Sequence, residues 1–253
     1  MDLQLNGKTA LVTGASSGIG YAIAKGLAAE GVKLCVVARR RGPLEQLAKE
    51  VVSGGGQQPE IGIFDLMKEG APQLLAQEAL KKLGRIDILI NCAGGITHMT
   101  LDSPEQEWRD VMTLNYTRPR ELTMAIVPAM IKQGWGRIIN ISGSSEPKGV
   151  EAGTAPKAAV HGFAKGLSRE VARHGITVNS ISPGPGKINT PMTGRLFSEQ
   201  GKKEFAEREI PVGRFGEPEE LAYLAITLAS PRASYITGNV VHVDGGAHRF
   251  AFT

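Results

Sequence analysis

Along this chain, short apolar runs alternate with longer stretches of helical periodicity, and the apolar runs are nearly continuous rather than every second residue. A strand that is apolar on both faces must be covered on both faces, which points to a parallel sheet between two layers of helices. The strands read as "TALVTG", "VKLCVVAR", "PEIGIFDL", "IDILINCAG", "GRIINIS", "ITVNSISPG" and "GNVVHVDGG". Between them lie the helical patterns "GYAIAKGLAAEG", "GPLEQLAKEVV", "APQLLAQEALKKLG", "APKAAVHGFAKGLSREVARHG" and "PEELAYLAITLAS". The stretch "SPEQEWRDVMTLNYTRPRELTMAIVPAMIKQG" reads as one long helix, with Ser103 as its N-cap and Glu105 and Glu107 in its first turns. The expectation is a doubly wound α/β fold with a seven-stranded parallel sheet, as one domain over residues 1–253. "SGGGQQP" is a glycine-rich surface turn, and the stretch 184–218 is the least regular, expected as a lid beside the site.

Composition sets bounds on function. Of the 253 residues 42% are hydrophobic, enough for a large core and against disorder. The net charge of +4 comes from basic residues that are scattered apart from one cluster, which argues against a nucleic-acid partner. Cys35 and Cys92 both sit in apolar, strand-like contexts and read as buried free thiols in a reducing compartment. A strand begins almost at the N-terminus and no apolar run is long enough to span a bilayer, so the expectation is a cytoplasmic protein without a membrane partner. The His and Cys residues have no metal-ligand spacing.

"TGASSGIG" lies between the first strand and the first helix. Glycines there permit a tight turn and let a phosphate approach the main chain, while the helix N-terminus offers unpaired N–H groups and a positive dipole end. A glycine triplet alone is a weak signal; after the first strand of a βαβ unit it is a strong one. The candidates at this end are Gly14, Ser16, Ser17, Gly18, Ile19 and Gly20.

That glycine spacing, together with "NCAG", Asn115, Lys157, "SPG" and "VDGG", resembles the short-chain dehydrogenase/reductase family over almost the whole chain. The resemblance implies a seven-stranded Rossmann sheet, a nicotinamide cofactor, a small-molecule substrate and a homo-oligomer, a tetramer or dimer. It adds Asp65 at the adenine edge, and Asn91, Ala93 and Gly94 along the cofactor. Pro183, Gly184 and Thr190 belong to the loop against the nicotinamide. Where an acid at the end of the second strand would favour NAD, this chain reads "ARRRG". Arg39 and Arg40, with Arg41 following, suit a 2′-phosphate and hence NADP, NAD being less favoured. The plainer alternative is a solvated basic turn.

At the catalytic end the resemblance assigns Lys157 as the lysine that binds the nicotinamide ribose and Asn115 as the asparagine of the proton path. The family's tyrosine, four residues before the lysine, is Gly153 here, and its serine falls on Gly143. Ser142 is a poor substitute, because neighbouring strand residues face opposite ways. Ser144 serves only if the strand has already ended. Pro156 suits the first turn of a helix capped by Thr154. Relative to the family's spacing, Gly186 and Lys187 look inserted ahead of Thr190, which either reshapes the nicotinamide pocket or bulges outward. Tyr116 is expected to pack, Tyr21, Tyr223 and Tyr235 to be remote, and His161 to pack on its helix. His98, Glu146 and Glu151 remain as other acids, each equally readable as a solvated surface group. Three functions stay open: an NADP-dependent oxidoreductase with an unusual proton donor, a lyase, dehydratase or hydrolase on the same frame, and a non-catalytic nucleotide-binding protein.

Overall fold

The computed structural model describes residues 2–95, 99–144, 153–184 and 187–248. Its strands are β1 (Thr9–Thr13), β2 (Lys33–Ala38), β3 (Glu60–Ile63), β4 (Ile88–Asn91), β5 (Gly136–Ile141), β6 (Ile176–Ser182) and β7 (Val240–His242). They form one sheet in the order β3-β2-β1-β4-β5-β6-β7, and every pairing is parallel. The expected doubly wound α/β fold is therefore the observed one.

Helices cover both faces. On one side α1 (Gly18–Ala29), α2 (Arg41–Ser53) and α9 (Pro218–Ala229) pack on Val12, Val36, Ile88, Ile139 and Ile181. On the other, α3 (Ala71–Leu83), α5 (Arg118–Gln133) and α6 (Thr154–Val171) pack on Leu11, Val37, Leu89, Ile138 and Val178. Successive strand residues feed opposite cores, which is why the strands read as unbroken apolar runs. No helix among the described residues is long and apolar enough to cross a membrane.

Three local expectations are corrected. The long central helix is two helices, α4 (Glu105–Met112) and α5, joined by a π-helical turn over Thr113–Thr117. Pro119 explains the break: it has no N–H to give to the Asn115 carbonyl four residues earlier. Ser103 is not the N-cap; that position belongs to Pro104, and the Ser103 hydroxyl accepts from the Thr100 N–H at 3.1 Å. The stretch 184–218 is more regular than expected. It holds α7 (Thr193–Leu196) and α8 (Glu199–Glu209), the latter capped by Ser198, whose hydroxyl accepts from Gly201 N–H. Phe197, Phe205 and Phe215 form a ring cluster there with centroids 5.0 to 5.9 Å apart.

Thr13 ties the sheet to the loops above it. Its buried hydroxyl accepts from Cys92 N–H and Ala93 N–H, each at 3.1 Å, and donates to Ile90 O at 3.2 Å. Thr13→Val keeps the shape and removes all three bonds. It is expected to lower unfolding free energy by about 2 kcal/mol, read as a lower urea midpoint at unchanged slope.

Candidate active site

The chain leaving β1 and the chain leaving β4 depart in opposite directions across the sheet, which opens a crevice at the carboxyl ends of the central strands. Its floor is main chain. Gly14 has φ 68°, and a methyl group there would lie 2.8 Å from both Ala93 N and Cys92 O. A methyl on Gly20 would lie 2.5 Å from Gly14 O, so the start of α1 also rests on this loop. Ser17 stands at the N-cap of α1 in extended conformation, makes no side-chain capping bond, and no acidic residue lies in the first turn. The first N–H groups of α1, with Gly18 and Ile19, are thus left to an anion. Ser16 is half-buried beside them.

At the end of β2, Arg39 and Arg40 are exposed and neither pairs with a carboxylate among the described residues, whereas Arg41 reaches Glu45 at 3.7 Å. Asp65 folds back to accept from Met67 N–H at 3.1 Å. Beyond it a cleft of about 210 Å³ opens against α4, lined by Met67, Gly95, Val111, Leu114 and Asn115, with Glu107 and Asp110 on its rim. Asn91 does not face this crevice with its side chain. Its amide donates to Thr123 Oγ1 and Asn140 Oδ1, each at 2.9 Å, beneath α5, so Asn91 offers the crevice main chain only.

Lys157 closes the other end. α6 starts at Thr154 with Gly153 in the capping position expected for Thr154, at helical φ −67° and ψ −26°, and Pro156 falls in the first turn as expected. The Lys157 ammonium donates to Ile141 O at 3.4 Å. A methyl on Gly94 would lie 3.5 Å from Lys157 Nζ and 2.9 Å from Asn115 Oδ1, so Gly94, Asn115 and Lys157 meet at one point. The Asn115 side chain is committed: it accepts from Gly95 N–H at 3.2 Å and donates to Val111 O at 2.9 Å. Burial pushes the Lys157 ammonium down to about 8, with Cys92 opposing. Burial pushes the Cys92 thiol up to about 12, opposed by Lys157 and the Gly20 main chain.

A methyl on Gly143 would come 3.3 Å from Lys157 Cγ, whereas one on Gly153 would meet no described atom within 4 Å. β5 ends at Ile141, so strand alternation no longer orients Ser144. Tyr116 packs edge-on against Phe163, as expected. Tyr21 bonds Glu50, and Tyr223 and Tyr235 are exposed. His98, Ser145, Glu146, Glu151 and Gly186 lie outside the described residues. Lys187 lies against Gly184, and Thr190 returns to the glycine loop: a methyl on Gly18 would lie 3.1 Å from Thr190 Cγ2.

His161 departs from expectation. Its Nε2 lies 2.8 Å from Ser142 Oγ, which also donates to Ile181 O at 3.1 Å. Burial, then His242 and Lys157, push the His161 imidazole down to about 4. The sequence did hold a signal for this pair: Ser142 follows the inward positions Ile138 and Asn140, and His161 lies one helical turn beyond Lys157.

Residues 14–248 match a family model described as enoyl-(acyl carrier protein) reductase. The chain is 38% identical over 251 residues to the 3-oxoacyl-[acyl-carrier-protein] reductase FabG of Aquifex aeolicus, covering 97% of this chain and 99% of that one. The chain belongs to the short-chain dehydrogenase/reductase family. Two solved structures show how closely this short-chain dehydrogenase/reductase chain keeps the family's frame. One is a 7α-hydroxysteroid dehydrogenase complexed with NADH and 7-oxoglycochenodeoxycholic acid. It has a TM-score of 0.91 at 30% identity, covering 97% of this chain and 96% of that one. The other is an NADP complex of Pseudomonas aeruginosa RhlG, with a TM-score of 0.89 at 34% identity, covering 98% and 99%.

Gly14→Ala forces a side chain into a left-handed conformation and against main-chain atoms. The left-handed backbone alone costs about 1–3 kcal/mol. The expected outcome is a lower urea midpoint together with displaced Cys92 and Ala93 amide resonances.

Proposed function

We propose that this protein is an NADP-dependent oxidoreductase acting on a small carbonyl compound or the corresponding alcohol, with a proton donor other than tyrosine. The observation that carries the reading is the uncapped N-terminus of α1 above a glycine floor too close for any side chain, with two unpaired arginines at the end of β2. That donor set fits a dinucleotide with a 2′-phosphate. The glycine loop, Ser16 and Ser17 hold the pyrophosphate, and Arg39 and Arg40 hold the extra phosphate. Asp65 and the main chain of Asn91, Ala93 and Gly94 line the adenosine half. Pro183, Gly184 and Thr190 flank the nicotinamide end. When bound, the cofactor supplies or accepts the hydride.

The remaining work falls to the chain itself. Lys157 holds the ribose hydroxyls and raises the local potential. Asn115 fixes Gly95, and through Pro119 its own carbonyl is released from the α-helical ladder toward a proton path. Ser144, just past the end of β5, polarises the substrate oxygen. Gly143 and Gly153 stand where the family places its serine and tyrosine, and the space they leave belongs to the substrate. The names of the relatives, a 3-oxoacyl reductase and a hydroxysteroid dehydrogenase, support a ketone or secondary alcohol as substrate. Met124 and Ile131 lie exposed on α5 and suit the packing of a second copy in a homo-oligomer. The same pair of glycines favours, as a second reading, proton chemistry of another class on a retained nucleotide.

Two measurements test the first reading. Arg39→Ala and Arg40→Ala are each expected to weaken NADPH binding about 10- to 100-fold, since a charged hydrogen bond contributes about 1.5–3 kcal/mol, and to leave NADH nearly unchanged. Equal effects on both nucleotides, read by fluorescence titration, would refute the 2′-phosphate assignment. Gly153→Tyr has an allowed backbone and lies four residues from Lys157 on the same helical face. It is expected to raise carbonyl reduction, by less than the roughly 10²- to 10⁴-fold that a general acid contributes where none is present. No gain in a folded, NADPH-binding variant would refute position 153 as the vacated tyrosine site.

A further inference from the structure

We propose that Lys157 is itself the acid–base group that exchanges a proton with the substrate oxygen, a step taken elsewhere by a side chain that this chain does not have. The inference rests on the oxidoreductase reading above and names the donor that the reading leaves open.

The geometry singles out this amine. Its stem crosses Gly143, where a methyl would sit 3.3 Å from Cγ, close enough that one of the two would have to shift by a few tenths of an ångström. Among the described residues its ammonium has one hydrogen bond, to Ile141 O at a long 3.4 Å, and no carboxylate partner. An ammonium has three protons to give, and the described residues engage one of them. Two other polar groups at this point are committed. The Asn115 amide is bonded at both ends, and the Ser142 hydroxyl is held by Ile181 O and His161. A side chain built at Gly153, one turn earlier on α6, would start with no described atom within 4 Å.

The step balances. In reduction the carbonyl carbon takes the hydride of the reduced nicotinamide, and the carbonyl oxygen takes a proton from the Lys157 ammonium. The products are the alcohol, the oxidised nicotinamide and a neutral amine, which regains its proton from water. In oxidation the neutral amine takes the hydroxyl proton.

The surroundings set the pH dependence. Among the described residues the groups facing Lys157 are Cys92 beyond β4, Asn115 in the π turn, Ile141 O and Gly143 at the end of β5, and His161 on α6 with His242 behind it. Cys92, pushed up to about 12, and His161, pushed down to about 4, are both neutral from pH 5 to 10. A limb near pH 8 therefore fits Lys157 and neither of these two groups. Reduction needs the ammonium and falls above that pH; oxidation needs the free amine and rises toward it.

The test begins without cofactor. Lysines of the nucleotide-free protein are dimethylated with ¹³C-formaldehyde and a borane reductant and followed by NMR from pH 6 to 11. One resonance, absent from Lys157→Arg, is expected to titrate near pH 8 while surface lysines titrate above about 10. In the NADPH-loaded enzyme, Lys157→Arg keeps the charge but not a releasable proton. It is expected to keep NADPH affinity within a few-fold, to lose about 100-fold or more in kcat, and to lose the limb near pH 8. A Lys157 resonance that titrates with the surface lysines overturns the proposal. So does a Lys157→Arg enzyme of undiminished kcat, or an equal loss of the limb in Glu146→Gln or Glu151→Gln with Lys157 intact. Failure of the wild-type protein to bind NADPH overturns the oxidoreductase reading instead, and is seen separately from the cofactor-free titration.

Discussion

Two loops meet in this molecule main chain to main chain. Gly14, leaving β1, lies against the Cys92 carbonyl and the Ala93 amide leaving β4, and Thr13 holds the two together with one hydroxyl. No side chain fits between them. Everything functional is referenced to that contact. The start of α1 rests on Gly14 through Gly20, Gly94 follows Ala93 to the point where Asn115 and Lys157 converge, and Thr190 returns to Gly18. Hydrogen bonds between main-chain groups and one buried threonine have few alternative arrangements, so the crevice is held more rigidly than a set of long side chains would hold it.

The electrostatics of the site follow from what surrounds Lys157 rather than from any partner it has. A buried ammonium that meets no carboxylate among the described residues gives up its proton more readily than one in water. The adjacent thiol does not supply the missing negative charge, because the same burial keeps it protonated. At the far end of the crevice Arg39 and Arg40 are exposed to water. The crevice thus has exposed guanidinium groups at one end and a buried amine at the other.

Much of this was legible in the sequence because it depends on local rules. Apolar runs without alternation could only be strands covered on both faces, and the glycine spacing after β1 could only mark a close main-chain approach. Lys157 and Asn115 were legible by position, and they do converge. What was misread depends on partners distant in sequence or on a single missing donor. Pro119 breaks a helix whose side-chain periodicity runs on unbroken, because periodicity reports the faces of a helix and not its hydrogen-bond ladder. Ser103 looks like a cap, but its hydroxyl turns to Thr100. The stretch 184–218 looked irregular because its apolar residues are phenylalanines that find one another only after folding. The side-chain partners of Asn91, Thr123 and Asn140, lie on two other elements and are likewise not legible from its own stretch of sequence.

The contact between Thr190 and Gly18 couples two segments that are far apart along the chain. They share a wall, so bulk added at one is room taken from the other. Exchanges at the two positions will not contribute independently, and a smaller residue at 190 would make a larger one at 18 more tolerable. A breeder of variants would have to change both at once, treating the turn after the first strand and the turn after the sixth as a single unit of inheritance.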